Sequence, residues 1–410
     1  DFAEARRLLG LAAAQGDASA QFMLGKMHFT GQGGAKDFVE ARRLYGLAAA
    51  QGNKRAQVKL GDMHLNGQGG PRDLAEARRL YGLAAAQGHA QAQFNFGSMN
   101  LRGRGGPRDF AEARRLFGLA AAQGDAMARA DLGTMHWVGD GGPQDYAEAR
   151  RLFGLAAAQG NADAQANLGS MHFNGDGGPQ DFAEASEARR LYGLAARQGH
   201  AGAQAELGIL HSRGVGGPKD YAEARRLLGL ATRQGHAMAQ ADLGTMHSRG
   251  EGGPQDFAMA RRLFGLAAVQ GNVEAQASLG NMHLHGDGEP PNYEEARRLY
   301  GLAAAQGNVV AQCALGTMHI HGLAGPQDFA EARRLYGLAA VQGDARAQYS
   351  LAKMHGKGDG GPQDFAESRR LLGLAAAQGD AEAQFSLGIM QLHGQGGPKD
   401  YAEARRLLAL

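Results

Sequence analysis

The chain has 410 residues, 65 of them glycine and 11 proline, yet 43% are apolar, which is too many for a disordered linker, and the glycines lack the every-third-residue spacing of collagen. Lys and Arg number 43 against 41 Asp and Glu, a net charge of +2, far from the excess expected of a chain that coats nucleic acid. No uninterrupted apolar run approaches the ~18 residues of a membrane span, so no membrane insertion is expected.

What remains for so much glycine is an internal repeat. Segments of the form Asp-[Phe/Tyr/Leu]-x-x-Ala-Arg-Arg-Leu, with close variants, begin at Asp1, Asp37, Asp73, Asp109, Asp145, Asp181, Asp220, Asp256, Asn292, Asp328, Asp364 and Asp400. Each spacing is 36 residues except the 39 between Asp181 and Asp220, where an Ala-Glu-Ala turn reads as duplicated. No linker or change of composition interrupts the series. A single repeat domain over residues 1–410 is expected, with eleven repeats and a partial one at 400–410.

Numbering each repeat from its Asp, the pair Asp1/Glu4 (Asp73/Glu76, Asp109/Glu112) reads as a capping box that opens a first helix of about 14 residues. Gly at position 16 (Gly88, Gly124) closes it. Asp, Asn or His at 17 (Asp125, Asn161, His200) caps a second helix of about 13 residues that ends at Gly 31 (Gly67, Gly103). A Gly-x-Gly-Gly-Pro loop leads to the next repeat. One such hairpin cannot bury its apolar face alone, whereas stacked copies can. The expected fold is an all-α α/α solenoid, a right-handed superhelix of about eleven helix–turn–helix repeats.

At 100° per residue, positions 2, 5, 8, 9 and 12 of the first helix cluster as a buried stripe (Phe38, Ala41, Leu44, Tyr45 and Ala48). Glu at 4 and Arg at 6 lie on opposite flanks, so parallel stacking predicts a charge ladder between neighbouring first helices that sets register. Gly at 25 (Gly61, Gly133) predicts close helix approach. Gly at 10 falls on the outer face with no evident reason.

The run Ala56, Gln57, Leu60, Gly61, Gly67, Gly69, Asp73, Ala77, Tyr81, Ala84, Ala85, Gln87 and Gly88 resembles the Sel1-like repeat family, and the likeness recurs along the whole chain. His64, His136 and His172 stand where that family usually has Tyr, Gly70 and Gly106 where it has Val, and Leu80 and Leu116 where it has Trp. The resemblance implies adaptor or scaffold work on protein partners. The paired cysteines of the family's secreted, disulfide-stapled branch are missing.

In the second helix, positions 20, 21, 24, 27 and 28 hardly change, whereas 19, 23, 26 and 30 change in nearly every copy and share one side of the helical wheel. By analogy with other helical-hairpin solenoids, this variable stripe lines a concave groove and binds a protein or peptide. Its candidate contacts are Arg55, Lys59, Asp62 and Asn66 in repeat 2, then Gln91, Asn95 and Arg102 in repeat 3. Asp131, flanked by the lone Trp137, follows in repeat 4. Further along stand Arg213, Arg249, His285 and His321, and finally Arg346, Lys353 and Lys357. The alternatives are simple drift of exposed positions, a modular single-stranded RNA binder, or a purely structural spacer. The mixed charge, with Asp62, Asp131, Asp163 and Glu274 on the stripe, argues against RNA.

Nine histidines occupy position 28, where a semi-buried, hydrogen-bonded ring is expected; copies one repeat apart cannot share a metal ion. Met at 27 reads as core. No G-x-S-x-G, H-E-x-x-H or phosphate-loop motif occurs, so neither a catalytic site nor a cofactor is expected. Cys313 alone excludes an intrachain disulfide and slightly favours a reducing compartment. The series begins and ends on a first helix without a polar cap, which predicts either a fragment of a longer array or end-to-end self-association.

Overall fold

The computed structural model describes residues 1–408; Ala409 and Leu410, the end of the expected partial repeat, lie outside the described residues. Among the described residues there are 23 α-helices and no strand, two helices to each repeat. The helices group into two compact units, Asp1–Leu207 with Gly214–Pro218 and Gly208–Arg213 with Lys219–Leu410. Both are built by the same rules.

Repeat 2 shows the plan. Its first helix, Phe38–Ala50, and its second, Lys54–Asn66, are 13 residues each. The first therefore stops slightly short of expectation, at Ala50; Gln51 caps it, and Gly52 takes the left-handed turn at φ +85°. The second ends on Gly67 at φ +69°. The three extra residues of repeat 6 lengthen its first helix, Phe182–Arg197, to 16 residues.

The capping box forms only by half. Asp37 Oδ1 accepts from the Glu40 N–H at 2.9 Å, but the Glu40 carboxylate does not turn back to the cap. The Asp37 N–H is already taken by the carbonyl of His28 in the preceding repeat, at 2.9 Å. Glu40 is thereby released to pair with Arg43 of its own helix, at 2.8 and 2.6 Å. The expected charge ladder between Glu at 4 and Arg at 6 of neighbouring helices is accordingly overturned in the 36-residue repeats, where the same intrahelical pair recurs at Glu76–Arg79, Glu148–Arg151 and Glu295–Arg298; it forms at the insertion of repeat 6, where Glu184 meets Arg150.

An amide ladder does the work assigned to charge. Gln21 Nε2 donates to the Ala13 carbonyl of its own hairpin at 3.2 Å, and its Oε1 accepts from Gln51 of the next repeat at 2.8 Å. Gln87 meets Gln57 at 2.9 Å, Gln306 meets Gln276 at 2.9 Å, and Gln378 meets Gln348 at 2.9 Å in the same way. The acceptor glutamines are buried, so a slipped register would strand amide groups away from water.

Packing follows from size. Ala41, Leu44, Tyr45 and Ala48 are buried as expected, with Ala49 in addition. Phe38 is the exception at 37% exposed, because the loop of its own repeat closes over its backbone and leaves the ring at the edge. A side chain on Gly69 would stand 2.1 Å from the Phe38 carbonyl oxygen, and Gly69 sits at φ +68°. Repeat 9 breaks this rule with Ala324 at φ +57°. The Ala324→Gly variant is expected to gain about 1–2 kcal/mol, the cost of a left-handed L-residue, read as a higher denaturation midpoint. An unchanged midpoint would show that the position carries no strain.

Gly at 25 lets the second helix come close to the first helix of the next repeat. A Cβ on Gly61 would lie 2.8 Å from the ring of Tyr81, and one on Gly97 2.9 Å from Phe117. Gly at 10 meets no such constraint; a Cβ added at Gly46, Gly118 or Gly154 would have nothing within 4 Å, and no contact explains the residue there.

Candidate functional site

The variable stripe is where the hairpin stack leaves second-helix side chains uncommitted. Arg55, Lys59, Asn66, Gln91 and Arg102 are exposed, as are Arg213, Arg249, His285 and His321. Arg346, Lys353 and Lys357 are exposed as well. Asp62, Asn95 and Asp131 are half-buried. Several of these make local pairs. Lys59 Nζ lies 3.1 Å from Asp62 Oδ2, Gln91 donates to Asn95 at 3.0 Å, and Lys353 Nζ sits 5.2 Å from the centre of the Tyr349 ring.

Two candidates have structural duties. The Tyr81 hydroxyl of the following repeat donates to Asp62 at 2.8 Å. Position 26 therefore supports the tyrosine at position 9 of the next repeat here and in other repeats. Ser170 with Tyr192 (3.0 Å) and Thr317 with Tyr336 (2.8 Å) repeat the contact. Trp137 donates its indole N–H to Asp176 Oδ2 at 2.9 Å and stands edge-on to Phe153, so it pins the loop of the next repeat.

Neighbouring repeats pool their stripe residues on a diagonal. Charges at position 30 of one repeat and 19 of the repeat two further on act on position 23 of the repeat between: Arg102 and Asp163 on Asp131, and Arg213 and Glu274 on Asp242. Burial pushes the Asp131 carboxyl up to about 6, with Arg102 pulling it down and Asp163 and Asp125 pushing it up. Asp242 is raised for the same reasons, burial first. Sequence spacing alone treats each repeat separately and misses this diagonal.

The histidines at 28 occupy the slot expected of them, and at His28, His64, His136, His283, His319 and His355 the partner is Arg at 6 of the same repeat. Arg42 Nη2 lies 2.8 Å from His64 Nδ1 and also donates to the Pro71 carbonyl at 3.3 Å. In repeat 6 the inserted turn adds a carboxylate to such a pair: Glu184 reaches Arg150 at 2.7 Å and His172 at 2.6 Å in the preceding repeat. Burial and the adjacent guanidinium hold His28, His64 and His136 below the usual histidine value. Burial beside Asp344 pushes the Cys313 thiol up to about 12, which makes it a poor nucleophile. Among the described residues no three His, Cys, Asp or Glu side chains are grouped to hold a metal ion, and no helix is long and apolar enough to cross a membrane.

A second surface lies on the first helices. Leu83 and Leu119 at position 11 are 43% and 41% exposed. A cleft of about 360 Å³ runs between the first helices of repeats 3 and 4, with Gly82 and Ala85 on one wall and Glu112, Arg115 and Leu119 on the other. An equivalent cleft of about 730 Å³ separates repeats 9 and 10.

The Sel1 repeat family matches twelve times in succession, from residues 1–17 and 18–53 through to 381–410. A protective antigen of uropathogenic Escherichia coli, c5321, which displays the same repeat fold, superposes with a TM-score of 0.83 at 32% identity over 98% of this chain and 85% of its own. A Sel1 repeat protein from Oxalobacter formigenes gives 0.58 at 30% identity, covering 76% and 89%. No curated protein sequence matches the chain. The hairpin plan, the glycine positions and twelve consecutive matches together make the chain a member of the Sel1 repeat family.

Proposed function

We propose that the protein is a non-catalytic scaffold that holds a protein or peptide partner along the variable stripe of its second helices. The observation that carries this reading is the division of labour within each repeat. Constant residues make the core and the amide ladder, while positions 19, 23 and 30 are left largely free of structural duty. Such a surface can be rewritten side chain by side chain without disturbing the stack, which is how helical-repeat proteins acquire partners. The charges alternate in sign, which suits a protein surface better than a phosphate backbone.

The test uses random peptides displayed on phage and selected on the immobilised full chain. Charge reversal at Arg55 and Arg346 is expected to abolish capture of a class of selected peptides and to leave the melting temperature unchanged. Leu83→Glu with Leu119→Glu, on the first-helix face, is expected to leave capture intact. If only the leucine variant loses capture, the binding face is the first-helix cleft and the stripe reading is wrong.

A further inference from the structure

We propose that repeats 1–3 form a docking surface for an acidic segment of the protein partner, held by the exposed lysines and arginines of their second helices and loops. The inference rests on the scaffold reading and names what one part of the stripe recognises.

Over the whole chain the charges nearly cancel, but along it they do not. Residues 17–108 hold thirteen Lys and Arg against six Asp and Glu, a net +7, whereas residues 109–180, the next two repeats, net −4. First helices do not contribute to the excess, because each sets an Asp and a Glu against its Arg-Arg pair (Asp37, Glu40, Arg42 and Arg43). The excess sits in the second helices and loops of residues 17–108, which carry nine Lys and Arg, all of them exposed. Of the nine only Lys59 is in an ion pair, with Asp62 at 3.1 Å.

The fold does not need these charges. At position 36, Gln144 and Gln180 donate to the Trp137 and Phe173 carbonyls at 2.6 and 3.1 Å and so close the end of the second helix. In repeat 2 that duty falls to Arg72, whose Nε reaches the Leu65 carbonyl at 2.9 Å. A neutral amide serves equally, so the positive charge is surplus there, and Lys36 and Arg108 stand at the same position.

The other end of the second helices is electropositive as well. Lys54, Arg55 and Lys59 of repeat 2 act on His89 of repeat 3, whose ring is held below the usual histidine value by burial first and by these cations next. Among the described residues His89 is the one second-helix cap whose side chain accepts no backbone N–H, whereas His200 and His236 do so at 2.9 and 3.3 Å. The first-turn N–H groups of Ala90–Arg102 therefore add their partial positive charge to that of the three side chains.

Charge spread in this way suits a row of carboxylates better than a single ion. Three neighbouring helices stacked roughly 10 Å apart span about 30 Å, the reach of about ten extended residues. Asp and Glu along such a segment accept charge-assisted hydrogen bonds from Lys and Arg. Single-stranded RNA would bring the charge but also needs aromatic faces on which to stack its bases. No ring of these second helices is exposed.

Fluorescence anisotropy of labelled decaglutamate on the full chain at ~50 mM salt tests the surface. Lys54→Gln, Arg55→Gln, Arg104→Gln and Arg108→Gln together should weaken binding at least about ten-fold and leave the melting temperature unchanged. Gln at four exposed cations elsewhere, Arg197, Arg233, Arg262 and Lys399, removes the same net charge and should alter binding by less than about two-fold, since distant charges are screened. No binding by the parent, or equal loss in both variants, would overturn the acidic-segment surface and leave the scaffold reading to the phage-selected peptides. Tighter binding of decauridylate than of decaglutamate would overturn it in favour of RNA. A dimer in light scattering that the first variant abolishes would assign the surface to the acidic repeats of a second copy.

Discussion

Lowering the pH from about 7.5 to about 5 is expected to reduce the melting temperature steeply, and replacing the position-28 histidines by Asn is expected to remove most of that fall. In the folded chain His28, His64, His136, His247, His283, His319 and His355 are all held below their ordinary value of 6.5, burial first and the neighbouring arginine second. The sign follows from linkage. Between the folded pKa and 6.5 the unfolded chain binds more protons, so this stability is fully present above pH 6.5 and is lost as pH falls through the folded value. Asp73 and Glu76 face the His64 ring and oppose the shift, while Arg79 adds to it; burial and Arg42 outweigh the acids. On protonation the ring ceases to accept from the guanidinium and repels it.

The effect multiplies because the same pair recurs along the array, and neighbouring repeats unfold together. Repeat 3 supplies the control. It has Asn100 in place of histidine, and Arg78 donates to the Asn100 side-chain oxygen, so Asn satisfies the arginine without titrating. Circular-dichroism melts across this pH range decide the matter. Parallel curves for the parent and the His→Asn chain would mean the histidines are not the acid-sensitive groups. The Glu4–Arg7 pairs belong to a separate window, since their glutamates are held below 4.5 by their arginines and their contribution is lost only as pH falls further below that value.

Two kinds of helical glycine are expected to respond in opposite directions to the same added methyl group. Gly97→Ala should destabilise, since the new Cβ would stand 2.9 Å from the Phe117 ring and 3.4 Å from the Ala113 carbonyl oxygen. Phe117 is fully buried and has nowhere to go. Overpacking of this kind costs about 1–3 kcal/mol, offset in part by a gain in helix propensity of about 1 kcal/mol. Gly118→Ala should stabilise by about 0.4–1 kcal/mol, because nothing lies within 4 Å and only the propensity changes. Repeat 10 already carries Ala352 at position 25, and the repeat after it presents Leu372, not an aromatic ring. Phe117→Leu is therefore expected to relieve part of the Gly97→Ala penalty. Denaturant midpoints of the four proteins test this; a Gly97→Ala chain as stable as its parent would show that the ring yields.

Much of the architecture was legible in the sequence because its determinants are local and repeated. The 36-residue period, the caps at Asp37 and Asn53, the left-handed glycines and the alternation of constant and variable faces all lie within one hairpin. Gly at 25 was legible for the same reason, as a helix position where small size has a cost that packing must explain. The charge ladder was misread because helical-wheel geometry leaves Glu40 equally free to face a neighbour or its own Arg43. The choice depends on which atom already occupies the cap N–H, and that atom, the His28 carbonyl, belongs to another repeat.

The stripe divides along the same line. That positions 19, 23, 26 and 30 share a side follows from 100° per residue. That Asp62 serves Tyr81, that Trp137 holds Asp176, and that Arg102 and Asp163 act on Asp131 follows only once three repeats are stacked. The sequence by itself determined the repeat, the hairpin and the residues free to vary, since these depend on spacing along one chain segment. Tertiary structure alone decided which of those residues are committed and which remain available. Hydrogen bonds and burial between repeats are set by a register that each repeat shares with its neighbours.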